Sequence, residues 1–175
     1  GVMGLYPANS VNHDDIALYA DESRQAPVLT WHGLRQQTEK QTGKPSRCLA
    51  DFVAPLLDAK GQPTKLQDYV GVFAVTAGIG VEKREQAFEA AHDDYSAIML
   101  KALADRFAEA FAECMHERVR KDLWGYAAAE NATLEDLVAE KYQGIRPAPG
   151  YPACPDHSVK KQMFELLQCE EIGMG

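Results

Sequence analysis

The sequence predicts an α+β fold, in which a long central helix and shorter helices pack on an antiparallel or mixed sheet. All strand-like segments lie within residues 2–78, and most helix-like segments follow them without a strict alternation of strand and helix. The composition, 46% apolar and 25% charged over 175 residues, is typical of a globular protein.

Three early segments have the composition of strands, and they cover residues 2–9, 14–22 and 26–33. The third contains Val, Thr and Trp, which favour a pleated surface, and a polar stretch at 21–25 predicts a hairpin turn before it. Residues 68–78 are apolar almost throughout, so we expect a buried central strand there.

Apolar residues at three- and four-residue spacing predict the helices. The longest candidate spans 82–123, contains neither proline nor glycine, and is expected to break near Asp93 because one helix of that length would be about 60 Å long. A shorter helix is predicted at 46–57. Two more are expected after Thr133, with Asp136 completing a capping box, and from Asp156 or Ser158 onwards.

The charge balance limits the kinds of partner. A net charge of −8 repels a phosphate backbone, so nucleic acid is a poor candidate and a cationic ligand or basic protein surface is favoured. No run of about 18 apolar residues is present, so we expect no membrane span. The four cysteines are scattered and form no C-x-x-C pair, which favours free thiols.

We expect residues 1–175 to form a single domain, because the length suits one core. The chain begins with Gly1 and ends in "EEIGMG". We interpret it as a piece of a longer polypeptide.

Common catalytic and metal patterns are incomplete. Cys154 and His157 have ligand spacing, but no second pair lies near them in sequence, and a structural zinc needs four ligands. No G-x-S-x-G is present, and the glycines of "TAGIG" lack the rest of a phosphate-binding fingerprint. We therefore predict no metal ligand and no catalytic side chain in this chain.

A row of carboxylates on the long helix has two interpretations. Four acidic residues recur at four-residue steps, which places them on one side of the helix: Asp105, Glu109, Glu113 and Glu117. They form either a solvated face or a surface for a cation or basic partner, and one member turned inward could accept a hydrogen bond from a ligand.

The segment "GIRPAPGYPACPDHSVKK" (144–161) carries the most specific pattern. Its four prolines stiffen the backbone, so it has little conformational entropy to lose on binding, and we expect the N–H groups of Ala148, Gly150, Tyr151 and Ala153 to remain free. Arg146 offers a planar fork for a carboxylate and Tyr151 a flat ring. The segment is either a loop for an amino-acid-like ligand or a structural connection.

The amino-acid sequence of this segment resembles a known family signature. "YQGIRPAPGYPACPDH" is similar to the signature of the activation (reactivation) domain of cobalamin-dependent methionine synthase. Other blocks agree in the same order, including "GLYPAN", "DDIALYADE", "DYVGVFAVTAG", "HDDYSAIMLKALADRFAEAFAE" and "HERVRKDLWGYA". The resemblance covers essentially the whole chain.

The resemblance implies a binding site for S-adenosylmethionine (AdoMet). It places Arg146 on the methionyl carboxylate, backbone around Ala148 against the adenosyl part, and Tyr151 at the site, with Pro147 and Gly150 in the same motif. It also associates Glu109 and Glu140 with the surface at which this domain meets the corrin.

The resemblance also implies the parent activity, which moves a methyl group from methyltetrahydrofolate to homocysteine through cobalamin. This domain would support the reductive methylation of cob(II)alamin to methylcobalamin. The cobalamin is expected in the B12-binding domain of the same polypeptide and zinc only in another domain. Flavodoxin or an equivalent protein would donate the electron, and the enzyme would be cytoplasmic.

Two alternatives remain open at this point. A stand-alone module could hold AdoMet or a corrinoid protein without joining methionine synthesis, and a purely structural interaction domain would need no ligand at all. The family's domain is also longer at both ends, and an acidic residue and a tyrosine-bearing segment of its site should lie outside residues 1–175. We therefore expect this chain alone to bind AdoMet weakly or not at all, and to be inactive.

Overall fold

The structure is a computed structural model that describes residues 1–174. The chain forms two compact units. Unit 1 consists of Gly1–Met3, Phe73–Ile145 and Leu167–Gly175, and unit 2 consists of Gly4–Val72 and Arg146–Leu166. Each unit is built from more than one stretch of the sequence.

A four-stranded sheet is formed by β1 (Val2–Val11), β2 (Asp15–Tyr19), β3 (Pro27–His32) and β4 (Asp68–Ala74), in the order β3-β2-β1-β4. The β1–β2 and β2–β3 pairs are antiparallel, with Ala8 opposite Leu18 and Ile16 opposite Trp31. Together with the helices described below, this sheet confirms the predicted α+β class.

Strands β1 and β2 lie at the centre of the sheet. The prediction of a buried central strand at 68–78 is therefore wrong. All of β2 from Ile16 to Tyr19 is buried, whereas β4 lies at an edge of the sheet and only Val72 in it is buried. A short apolar run indicates a strand, but periodicity alone does not say how many neighbours the strand will have.

The helix predicted at 46–57 is reduced to a single 3-10 turn at Leu49–Phe52. The backbone that follows pairs with β1 instead, because the N–H of Ser10 donates to Ala54 O at 3.0 Å and the N–H of Leu56 donates to Ser10 O at 3.0 Å. Pro55 between them lacks an N–H and could not continue a helix. Tertiary pairing therefore overrides the helical spacing of the apolar residues.

The long helical segment divides as predicted, into α1 (Val81–Ala90) and α2 (Asp94–Arg118). His92 adopts a φ of +56° between them, and the Asp93 side chain caps α2 by accepting a hydrogen bond from the N–H of Ser96 at 3.1 Å. After α2 the chain makes one π-helical turn at Val119–Leu123.

Two short helices lie where the sequence predicts them, and a 3-10 turn at Cys169–Ile172 follows the second. The capping box of α3 (Leu134–Val138) is formed by Thr133 and Asp136, each side chain accepting from the other residue's backbone N–H. Helix α4 (Val159–Leu167) follows a turn in which Asp156 accepts hydrogen bonds from Ser158.

Candidate functional site

The proline-rich segment folds as a compact loop of unit 2, which we call the proline loop (residues 146–157). Its first turn is closed by a 3.0 Å hydrogen bond from the N–H of Tyr151 to the carbonyl of Ala148. Pro149 and Gly150 occupy the middle of this turn, and Gly150 has a φ of +104°. Proline followed by a glycine with positive φ is the pattern of a type II turn.

A second turn begins at Tyr151, the residue that ends the first. The N–H of Cys154 donates to Tyr151 O at 2.8 Å, and the N–H of Gly150 donates to Cys154 O at 2.8 Å. The expectation that the Gly150 and Tyr151 N–H groups remain free is therefore wrong, because both donate within the loop. Proline removes donors from the chain, and the remaining donors are used to close the turns.

The side chains of His157 and Cys154, both in the loop itself, help to fix its conformation. A Cβ built on Gly150 would lie 2.5 Å from His157 Cε1, so the imidazole occupies the space that a side chain at position 150 would need. Cys154 is buried, and burial raises the pKa of its thiol. Hydrogen bonds from Ser158 hold the pKa of the Asp156 carboxyl below its usual range.

The side chains that the sequence singles out differ in exposure. Arg146 is half-buried and its Nε atom is enclosed, whereas the Tyr151 ring is 63% exposed. Pro147 is half-buried, and Ala148 is exposed. One loop therefore presents a guanidinium, an exposed aromatic ring and a rigid backbone, which together suit a small ligand with a carboxylate and a flat group.

The two predicted glutamates belong to unit 1. Glu109 is exposed on α2 and its Oε2 accepts a 2.8 Å ion-pair hydrogen bond from Arg106. Glu140 is exposed immediately after α3, with a φ of +54°. The structure thus brings Arg146, Pro147, Ala148, Gly150 and Tyr151 together in one loop and places these two carboxylates on other elements.

The carboxylate row on α2 is not uniformly solvated. Asp105 and Glu109 are exposed, whereas Glu113 and Glu117 are half-buried. Glu117 lies 3.4 Å from Lys121 Nζ, and Glu113 has its Oε2 atom enclosed. The row therefore has an open half and a covered half.

Comparison with known proteins decides the family. The sequence model of "vitamin B12 dependent methionine synthase, activation domain" matches residues 1–175. The chain belongs to this activation-domain family. The family that the sequence of the proline loop predicts is therefore confirmed.

A solved structure agrees with this activation-domain assignment. The chain is 57% identical, with a TM-score of 0.83, to a structure described as "Crystal Structure of the MetH Reactivation Domain bound to AdoHcy". The match covers 95% of this chain and 49% of that one, so this activation-domain chain spans about half the length of the solved relative.

Sequence reasoning missed a buried cation in unit 1 of the activation domain. Arg120 is fully buried in the π-helical turn, and its Nε and Nη2 atoms lie 2.8 and 2.6 Å from the carboxylate oxygens of Glu130. Its guanidinium also lies 4.4 Å from the ring centroid of Tyr142. These hydrogen bonds hold the pKa of the Glu130 carboxyl below its usual range.

The sequence contains only a weak signal for this cluster. Ten residues separate the two charged partners, so no periodic pattern links them, and Arg120 stands in the mixed sequence "RVRKDL". The one indication is that Arg120 directly follows Val119, an apolar residue of a type that is usually buried.

Neither a metal centre nor a membrane-spanning helix is found in residues 1–174 of the activation domain. Within residues 1–174, no three His, Cys, Asp or Glu side chains are arranged to hold an ion. Over the same residues, no helix is both long enough and apolar enough to cross a bilayer. All four cysteines are free thiols, and only Cys114 is exposed.

Proposed function

We propose that this activation domain binds AdoMet through the proline loop. The observation that supports the proposal most strongly is the 57% identity, over 95% of the chain, to a MetH reactivation domain solved with AdoHcy. AdoHcy is AdoMet without its transferable methyl group, so it has the same amino-acid and adenosyl parts. The folded loop contains the residue types that those parts require.

Each loop residue has a proposed role. The Arg146 guanidinium grips the methionyl carboxylate, for which a planar fork is well suited. Backbone near Ala148 contacts the adenosyl part, and the exposed Tyr151 ring covers the ligand. Pro147 restrains the backbone beside Arg146, and Gly150 acts through the turn that places Ala148 and Tyr151.

The chemistry that we propose for the parent protein is the reductive methylation of cob(II)alamin. A cobalamin held by another domain would take up one electron from a donor protein and one methyl cation equivalent from AdoMet, and AdoHcy would be the leaving group. This chain contributes positioning, since holding the sulfonium methyl towards the cobalt requires no acid or base. Glu109 and Glu140 are proposed to lie where the activation domain meets the corrin.

The partners and location follow from the same proposal. The cobalamin is carried by a B12-binding domain of the same polypeptide, the electron comes from flavodoxin or an equivalent donor, and any zinc belongs to another domain. The parent enzyme, a methyltetrahydrofolate–homocysteine methyltransferase, would act in the cytoplasm. We infer that residues 1–175 are one part of its reactivation domain, and that this part alone binds AdoMet weakly and is inactive.

Calorimetric titration of the parent polypeptide with AdoMet and with AdoHcy tests the site. Arg146→Ala should weaken binding of both by about 10- to 100-fold, because a charge-assisted pair is lost. Arg146→Lys should restore only part of the affinity, since an ammonium cannot form the fork. Arg84→Ala, at an exposed position on α1, is the control.

Two results would count against these assignments. Unchanged affinity in Arg146→Ala, with unchanged thermal stability, would remove this residue from the site. Micromolar binding of AdoMet to residues 1–175 alone would show that the site needs nothing further.

A further inference from the structure

Helix α2 has apolar side chains on two opposite sides, and only one side is covered. On the covered side, Ala97 and Met115 are buried within unit 1. On the other side, large side chains recur at four-residue steps and are 73, 42, 49 and 65% exposed in turn: Tyr95, Met99, Leu103 and Phe107. Four-residue steps stay on one side of an α-helix over three turns, so these residues form a continuous stripe. We call these four residues the α2 stripe.

This arrangement is unusual for a helix at a protein surface. A surface helix normally pairs one apolar side with one polar side, whereas a helix that is apolar on both sides is typical of a covered core element. Single exposed apolar residues are common, but a contiguous row of large ones marks a surface that contacts something. The α2 stripe is therefore built to be buried.

The similar solved chain indicates what the stripe contacts. The match covers 49% of that chain, so the solved chain contains roughly as many residues again. A longer chain buries a larger fraction of its surface around a common core. We propose that the α2 stripe packs, in the parent polypeptide, against the part of the reactivation domain that lies outside residues 1–175.

A second copy of this chain fits the stripe less well. Each copy carries a net charge of −8, so two copies repel each other as they approach.

The chain contains its own reporter for this contact. Cys114 lies eleven residues after Leu103, about three helical turns, and therefore on the same side of α2. It is the only exposed cysteine, since Cys48, Cys154 and Cys169 are buried. Alkylation of Cys114 measures whether this side of α2 is open to solvent.

The test compares Cys114 alkylation by iodoacetamide in residues 1–175 and in the parent polypeptide, at pH 7.5 and several protein concentrations. We expect alkylation to be at least about tenfold slower in the parent, because a packed thiol reacts only when the contact opens. AdoMet is not needed for this measurement, so its outcome is independent of the proposed ligand.

A charged substitution in the stripe provides a second measurement. Leu103→Lys should lower the Tm of the parent by about 5 °C or more, because a lysine would be buried without a partner, and should leave the Tm of residues 1–175 nearly unchanged. Val28→Lys, at an equally exposed apolar position on β3, is the matched control and should change neither Tm.

Equal alkylation rates in the two proteins would overturn the proposal. Protection that depends on protein concentration would also overturn it and would assign the stripe to a second copy. A parent gene that encodes no further domain residues would do the same.

Discussion

Position 150 requires glycine for two separate reasons. Its φ of +104° is energetically unfavourable for any residue with a side chain. The His157 ring also fills the space next to its Cα. The proline loop therefore depends on one residue without a side chain, and the prolines on either side cannot compensate for its loss.

Gly150→Ala should destabilise the chain by about 2 kcal/mol, because strained backbone is combined with displacement of the imidazole. Gly61→Ala is the matched control, since Gly61 also has a positive φ, of +74°, but nothing lies within 4 Å of its added Cβ. We expect that substitution to cost about 1 kcal/mol. Urea unfolding measures both, and equal losses would show that the His157 contact is unimportant.

The buried pair of Arg120 and Glu130 should be sensitive both to mutation and to pH. Glu130→Gln removes a carboxylate from a fully buried guanidinium, and breaking such a pair costs about 3–5 kcal/mol. Glu109→Gln, in an exposed pair with Arg106, is the control and should cost less than about 1 kcal/mol.

The pH dependence of that pair has a definite sign. The pKa of Glu130 is lower in the folded chain than in the unfolded chain, so its contribution is complete above about pH 4.3 and disappears as the pH falls through the lowered folded-state pKa. Wild type and Glu130→Gln should therefore differ in urea unfolding at pH 7 and converge in acid. A constant difference across this range would contradict the assigned cause.

At the scale of elements, the division between α1 and α2 depends on two residues. His92 turns the chain with a φ of +56°, and Asp93 then caps α2 through the N–H of Ser96. The same hydrogen bond holds the pKa of the Asp93 carboxyl below its usual range. The cap fixes where a 25-residue helix begins.

Asp93→Ala should destabilise the chain by about 1 kcal/mol at neutral pH, since the first turn of α2 loses its cap. Asp93→Asn should retain most of the stability, because asparagine caps about as well. Asp94→Ala is the control at the next, exposed position, which caps nothing. Thermal unfolding at pH 7 compares them, and equal effects at 93 and 94 would argue against the cap.

Local signals in the sequence predict the elements that depend on local interactions. The Thr133 and Asp136 box and the break at Asp93 are both confirmed, because caps act within one helical turn. The helix at 46–57 fails because residues 54–56 pair with Ser10 of β1, a partner distant in sequence. The burial of β2 rather than β4 likewise depends on sheet order.

The candidate site likewise has features that the sequence predicts and features that depend on contacts distant in sequence. The turn of the proline loop follows from Pro149 and Gly150, whose backbone preferences are intrinsic to them. The use of the Gly150 N–H by Cys154, and the burial of Arg120 against Glu130, depend on how the chain folds back on itself. Residue types alone do not contain that information.

At the scale of the molecule, the net charge of −8 keeps copies apart while the α2 stripe is exposed. Near the isoelectric point of about 5.1, that repulsion vanishes. The balance between charge and apolar surface therefore decides whether residues 1–175 remain dispersed.

Light scattering of residues 1–175 should rise steeply as the pH is lowered from 7.5 to about 5. Phe107→Gln shortens the stripe without changing the charge and should reduce this scattering, whereas Val28→Gln on β3 should leave it unchanged. Identical scattering from all three proteins would show that the stripe has no part in the association.

The interleaving of the two units has a consequence for how the gene can be divided. The polypeptide passes from one unit to the other four times, after Met3, Val72, Ile145 and Leu166. Neither unit is encoded by one uninterrupted length of DNA. A premature stop codon upstream of position 167 would remove the last segment of unit 1. Shuffling of such halves by recombination is therefore disfavoured, and we expect this stretch to be inherited as a block.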